Sequence, residues 1–349
     1  MPVKLRSVDM TKSSAINEAI LSGYTADIYF SRTQVVLRAE GLDPLVTMEI
    51  FPNAAGILCG VNEVVDLLRQ VLPKDSEVWA LSEGEAMASK EVVLRITAPY
   101  STFGLYETAM LGMLAQTSGW ATAARVCVDA AEGIPIISFG ARHVHPHVAA
   151  RLEYAAIVGG CVGCATPAGA ELAGLEASGT IPHAMILIFG DTVKATLAFD
   201  RHMPPKIRRV ALVDTFKDEC EESLRVAEAL GRRLWGVRLD TPSERGRVTP
   251  ELVKELRARL DQAGYPWVKI VVSGGVDAAR IRLFREHGAP VDLFGVGSAI
   301  SSAPPIDFTG DLKVVAGQPI AKRGRIPGIT ANPRLQRIDL AKVKEKTHR

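Results

Sequence analysis

In the stretch SGTIPHA, His183 stands behind Gly179, Thr180 and Pro182, just as an apolar run begins. An imidazole so placed is a packed core residue, a metal ligand or a reactive group at the lip of a sheet. Other stretches carry related chemistry. GVRLD sets Arg238 and Asp240 two residues apart, so an extended chain turns both to one face and Val237 and Leu239 to the other. Facing a site, the guanidinium would clamp a diphosphate through paired hydrogen bonds, and the carboxylate would hold sugar hydroxyls or Mg2+. Facing each other, they form an internal salt bridge. Asp214 and Thr215 close VALVDT and read as a similar pair or as a helix cap.

Two glycine turns add to this set. SGGVD supplies Ser273, Gly274 and Gly275, and FGVGS supplies Gly295 and Gly297. Such turns present amide N–H groups to an anion, or they are tight connections that need positive φ. FGARHVHPH contributes Phe139, Arg142, His143, His145 and His147. Its histidines lack cysteine or acidic partners at ligand spacing, so no zinc site is expected. Cys161 and Cys164 form a CxxC without a second one and read as small buried hydrophobes.

These residues fall at the ends of short apolar runs that recur from about residue 134. The runs are IPIISFG, GGCVGCAT, GTIPHAMI, RRVALVD, LWGVRLD, WVKIVVSGG and DLFGVGSAI. Helix-like segments such as KDECEESLRVAEALG, TPELVKELRARLDQAG and DAARIRLFREHG lie between them, two closed by glycine. Buried strands alternating with helices imply a parallel sheet with right-handed crossovers. About seven units favour an irregular βα (TIM-like) barrel, whose strand ends build the site; an open doubly wound sheet is the alternative. The earlier part differs. ADIYFSRTQVVLRAE, LVTMEIF and EVVLRITAPY read as strands, and VNEVVDLLRQVL and the long segment from YETAML onward as helices. LKVVAGQPIAKR reads as a hairpin returning to this part, before a charged tail. The expected α/β organisation is an N-terminal α+β domain over 1–118, a barrel over 119–303, and a hairpin and tail over 304–349.

Bulk properties narrow the class. A 349-residue chain that is 47% hydrophobic suits a large α/β domain with a smaller one. Forty-one Lys and Arg against 39 Asp and Glu leave +2, which argues against a nucleic-acid binder. The N-terminal stretch has no apolar signal core, and nothing reaches membrane-spanning length. Five scattered cysteines fit a reduced, cytoplasmic chain.

In their order, FGARH, GG, SGTIPHA, VDTFKDE, GVRLD, SGGVD and FGVGS resemble the nicotinate phosphoribosyltransferases, the type II phosphoribosyltransferases. YTADIYF, YETAMLGMLAQTSGWATAAR and LKVVAGQPIAKR extend the resemblance over roughly residues 20 to 325. It implies transfer of phosphoribosyl from phosphoribosyl diphosphate to nicotinate, giving nicotinate mononucleotide and diphosphate in NAD biosynthesis. It also implies Mg2+, coupled ATP hydrolysis, and a homodimer or higher homo-oligomer with shared active sites. His183 matches the family's phosphate-accepting histidine, acting with Arg238 and Asp240. Tyr29 and Phe139 match ring-stacking aromatics and Arg142 the substrate-binding arginine. Asp214 and Thr215 join the substrate set, and Ser273, Gly274, Gly275, Gly295 and Gly297 the phosphate set. Such chemistry needs positioning and charge stabilisation rather than a covalent nucleophile on the sugar, a flat slot for the ring and a cation for its carboxylate. Nicotinamide-using relatives carry an acidic residue in the turn matching CVGCATPAG, which is absent here; a quinolinate site should be richer in Arg and Lys. No cysteine follows Cys220, so the cysteine-rich zinc module of some relatives is not expected. Quinolinate or nicotinamide transfer, and a non-catalytic sugar-phosphate-binding barrel, are the alternatives.

Overall fold

The computed structural model describes residues 16–341. The first residues and the last eight of the charged tail lie outside that range. The described chain divides into two compact units. One runs to Thr122 and resumes at Pro304; the other is Ala123–Ala303.

The first unit opens with helices α1 (Glu18–Leu21) and α2 (Ile28–Ala39), then strand β1 (Leu45–Pro52), β2 (Gly56–Ile57) and α3 (Val61–Val71). It continues through β3 (Glu77–Ala80), β4 (Ala86–Met87), β5 (Leu94–Pro99), α4 (Tyr100–Phe103) and the long α5 (Glu107–Ala131), within which the division falls. α3 buries Val61, Val64, Val65, Leu67 and Leu68 along one stripe, the three-to-four spacing of an amphipathic helix. They pack with Met48, Ile50, Leu94, Ile96 and Phe103.

ADIYFSRTQVVLRAE, expected as a strand, forms α2 instead. Thr33 Oγ1 donates to the Tyr29 carbonyl (2.8 Å), a local helical bond. β1 is already flanked by β5 on one side, and by a strand from late in the chain on the other, so no ladder place remains beside it. β-Branched content was a weak guide here.

The second unit alternates strand and helix: β6 (Ile136–Ser138), α6 (Pro146–Val158), β7 (Gly163–Cys164), α7 (Pro167–Leu172), α8 (His183–Phe189), α9 (Thr192–His202), β8 (Arg209–Leu212), α10 (Glu219–Leu230), β9 (Leu234–Leu239), α11 (Pro250–Gln262), β10 (Lys269–Val272), α12 (Ala278–Glu286), β11 (Leu293–Val296) and α13 (Ser298–Ser301). The six strands are parallel, in the order β7-β6-β11-β10-β9-β8. The sheet is a curled half-barrel within a TIM-like fold, closely matching the α/β reading. Its strand count differs from the expected seven: GTIPHAMI is not a strand. Pro182 caps α8, and His183 begins that helix. The segment lies in the chain between the sheet's two edge strands, and Ser178 N–H donates to the Cys164 carbonyl beside β7 (2.8 Å). A short apolar run cannot be assigned to strand or helix by periodicity alone.

Within the sheet, Ser138 pairs with Val296 and Cys164, Val272 with Leu239 and Phe294, and Leu212 with Arg238. This register sets the carboxyl ends side by side. Past Pro304, β12 (Phe308–Val315) turns through Ala316 and Gly317, both at positive φ, into β13 (Gln318–Pro319). β12 pairs antiparallel with β1, and β14 (Gln336–Arg337) with β3.

Candidate active site

A cavity of about 780 Å3 opens at the carboxyl ends of the second unit's strands. Phe139, Arg142 and His143 line it after β6, Arg238 and Asp240 at the end of β9, Ser273–Gly275 after β10, and Gly295 and Gly297 on and after β11.

Arg238 is the centre of a network. Its Nε donates to Ser273 Oγ (2.9 Å), Nη1 to Thr180 Oγ1 (2.8 Å) and Nη2 to Asp240 Oδ2 (2.9 Å). Ser273 Oγ in turn donates to Asp240 Oδ1 (2.8 Å). Val237 and Leu239 are fully buried on the opposite face. The internal salt bridge and the cavity-facing pair are therefore the same arrangement. The guanidinium lies 5.2 Å from the centre of the Phe139 ring, within cation–π range.

His183 sits behind this layer. Its Nδ1 shares a hydrogen bond with Thr215 Oγ1 (3.0 Å). Nε2 faces Asp214 Oδ2 at 3.8 Å and Asp240 Oδ2 at 3.7 Å. Asp214 has a side chain only 1% exposed, and neither of its oxygens has a hydrogen-bond partner among the described residues. Burial pushes this carboxyl above the usual carboxylate range; His183 opposes the rise and Asp240 adds to it. The cap reading of Asp214 and Thr215 gives way to another residue: Asp218 caps α10, accepting from Cys220 N (2.9 Å).

The glycine turns have two physical origins. Gly274 and Gly275 lie at φ of 83° and 67°, where side chains are disfavoured. Gly295 and Gly297 have no such φ; a Cβ at Gly295 would overlap the Phe139 ring, and one at Gly297 would come within 2.9 Å of His143 Cε1. Close approach, rather than turn geometry, requires them.

Arg142 is exposed on the cavity wall, and its guanidinium has no ion pair or hydrogen bond among the described residues. His145 caps α6, its Nδ1 accepting from His147 N (3.2 Å), and His143 Nδ1 meets Ser301 Oγ (3.0 Å). Cys161 and Cys164 are buried free thiols that burial pushes up to about 12. Tyr29 belongs to the other unit, on α2, where it is 55% exposed and donates to Asp27 Oδ2 (3.3 Å).

Sequence reasoning missed Thr166 and its support. Ala165 and Thr166 line the cavity, and fully buried Glu153 of α6 accepts from both of their amides (2.8 and 3.1 Å) and from the Thr166 hydroxyl. A lone acid within an apolar helical stretch was the available signal.

Family models confirm the type of scaffold. The model described as quinolinate phosphoribosyl transferase, N-terminal domain, matches residues 27–118, and its C-terminal domain counterpart matches residues 120–311. The chain belongs to the quinolinate phosphoribosyl transferase family. Among curated relatives, nicotinate phosphoribosyltransferase pncB2 of Mycobacterium tuberculosis is 32% identical over 247 residues, covering 69% of this chain and 52% of the relative. Nicotinate phosphoribosyltransferase of Bacillus subtilis is 27% identical over 259 residues, covering 73% and 52%. The chain thus spans about half the length of these relatives. The structure of nicotinate-nucleotide pyrophosphorylase from Pyrococcus furiosus aligns with a TM-score of 0.84 and 42% identity, over 95% of this chain and 88% of that one. Human nicotinic acid phosphoribosyltransferase, at 21% identity, aligns with a TM-score of 0.68 over 87% and 77%, and shares the fold. No helix among the described residues is long and apolar enough to cross a membrane.

Proposed function

We propose that the protein is a nicotinate phosphoribosyltransferase that joins nicotinate to phosphoribosyl diphosphate, releasing diphosphate, in NAD biosynthesis. Arg142 carries the reading. Of the two arginines lining the cavity, Arg238 is held by Asp240, Ser273 and Thr180, whereas Arg142 is unspent. One free guanidinium matches the single carboxylate of nicotinate. Phe139, packed against Gly295 and lining the cavity, is the aromatic partner proposed for the pyridine ring. Tyr29, exposed beside Ile28 on α2, suits a ring contact made by a second copy, in a homodimer or higher homo-oligomer with shared sites.

His183, Arg238 and Asp240 form the proposed catalytic set, with Asp214 and Thr215 on the sugar side and Ser273, Gly274, Gly275, Gly295 and Gly297 around phosphate. Asp214, with two orphaned buried oxygens, and Asp240 fit Mg2+, a hard cation that takes carboxylate oxygens and completes its shell with substrate phosphate and water. Bound there, Mg2+ would neutralise diphosphate charge. The chain's own contribution is to hold the Asp240 carboxylate in place through Arg238 and Ser273 and to fix the His183 ring through Nδ1 and Thr215, with Nε2 facing Asp214 and Asp240. An Nε2 that makes no hydrogen bond among the described residues and lies beside the diphosphate-facing carboxylates suits phosphoryl transfer from ATP, the basis of the proposed ATP coupling. A cytoplasmic location follows from this role.

Quinolinate transfer is the second reading, favoured by the matched family models. Arg142→Ala separates the readings from a non-catalytic barrel. It should raise KM for nicotinate by about ten- to hundredfold with little change in KM for phosphoribosyl diphosphate. An unchanged nicotinate KM would remove Arg142 from the ring site.

A further inference from the structure

We infer that Arg247 is a phosphate-binding residue of this site, closing the Gly274–Gly275 turn over a sugar phosphate. The inference rests on the phosphoribosyl transfer reading and adds a cation that neither the motifs nor the cavity wall reveals.

Arg247 lies in the loop after β9, held by a short turn. The Arg245 and Arg247 amides both donate to the Pro242 carbonyl (3.1 Å each). Gly246 and Arg247 have φ of 86° and 64°. Glycine adopts that conformation freely, whereas arginine adopts it at a cost and only when its surroundings impose it. The effect of this backbone is to aim the guanidinium at Gly275: a Cβ there would overlap Arg247 Nη1. Gly274 and Gly275 line the cavity, so the charged group rests against a residue of its wall.

The cation is not spent on the protein. Its guanidinium makes no ion pair or hydrogen bond among the described residues. Glu244, the acidic neighbour on the same loop, is fully exposed and takes its bond from Ser243 (3.0 Å). Arg280 of α12 adds a second positive charge. It donates to the Val248 carbonyl (2.7 Å), and its buried Nε has no partner. Burial and then the Arg247 charge lower the Arg280 pKa, with Asp277 opposing. Asp277 itself already caps α12 through Arg280 N (2.8 Å), so the helix end is satisfied. Arg247 thus feels a like charge from Arg280 while it lies against a glycine turn that lines the cavity. A phosphate dianion on that turn would relieve their repulsion and accept from Arg247.

The test compares wild type, Arg247→Gly and Arg247→Lys by thermal shift with ribose 5-phosphate and by steady-state kinetics. Glycine suits the positive φ, so Arg247→Gly should keep or raise Tm without ligand. It should weaken ribose 5-phosphate binding and raise KM for phosphoribosyl diphosphate by about ten- to hundredfold, leaving KM for nicotinate unchanged. Lysine should recover part of the loss. Equal ribose 5-phosphate affinity in wild type and Arg247→Gly, or no ribose 5-phosphate stabilisation of wild type, would overturn the inference. Loss of ribose 5-phosphate affinity in Arg247→Gly, with wild type forming no product from any pyridine, would uphold the anion site and reject the transferase reading instead.

Discussion

Asp214→Asn should make the protein more stable and less active at once. The Asp214 carboxyl is 1% exposed, accepts no hydrogen bond among the described residues, and lies near the Asp240 carboxylate. Leaving a buried polar group without a partner costs about 1–3 kcal/mol, and more when the group is charged. The neutral amide escapes the ionic part of that cost and its repulsion from Asp240, while forgoing the opposing effect of His183. A net gain of about 1 kcal/mol is expected, which in a unit of this size raises Tm by roughly 2–4 °C. The pH dependence supplies a check. Because folding raises this carboxyl's pKa, its stabilising contribution is complete below the unfolded value near 3.9 and is lost as pH rises through the folded value. Wild type should therefore lose stability across that window, and Asp214→Asn should lose less. Differential scanning calorimetry at pH 4.5 to 8, paired with turnover, reads both effects. Turnover should fall at least about 100-fold, in keeping with loss of a positioned charged group. A variant that is less stable at neutral pH would refute the reasoning, since it would show the carboxylate to be satisfied.

Glu107, pushed up to about 7 by burial and the Asp311 charge, follows the same sign: its contribution is present below about 4.5 and lost as pH rises through about 7. The full difference corresponds to roughly 3 kcal/mol, which partial solvent access reduces to about 1–2 kcal/mol. Glu107→Gln should flatten the stability profile between pH 5 and 8, measured by urea titration. Glu153→Gln places an amide where the Thr166 amide and hydroxyl donate, and should cost about 2 kcal/mol in stability; a Tm equal to wild type would show that the turn stands alone. His183→Ala should keep some basal transfer and lose ATP stimulation, read as product formed with and without ATP; equal stimulation would remove His183 from the coupling.

The legible parts of the molecule were those governed by simple periodicity. Strands buried on both faces announced β6, β8, β9, β10 and β11, and the two-residue spacing of Arg238 and Asp240 placed both at the cavity. The failures have physical causes. MILIF continues a helix begun at His183, although only Ile186 of α8 is buried; short apolar runs carry no distinguishing period. α2 is rich in β-branched and aromatic residues, yet the sheet had no place for it. Gly295 and Gly297 have no positive φ; the Phe139 ring and His143 lie where a Cβ would stand, a proximity that the sequence does not display. Glu153 shows in the sequence only as a lone acid within an apolar helical stretch, and its partners, the Ala165 and Thr166 amides, appear only in the fold. Arg247 is silent because a single left-handed residue leaves no sequence trace beyond the preceding glycine.

The most direct test of the account is a product assay with phosphoribosyl diphosphate and Mg2+, offering nicotinate, nicotinamide and quinolinate separately. Nicotinate mononucleotide should form from nicotinate, with diphosphate released in equal amount and little turnover of the other two. Turnover of quinolinate with carbon dioxide release, and none of nicotinate, would contradict it.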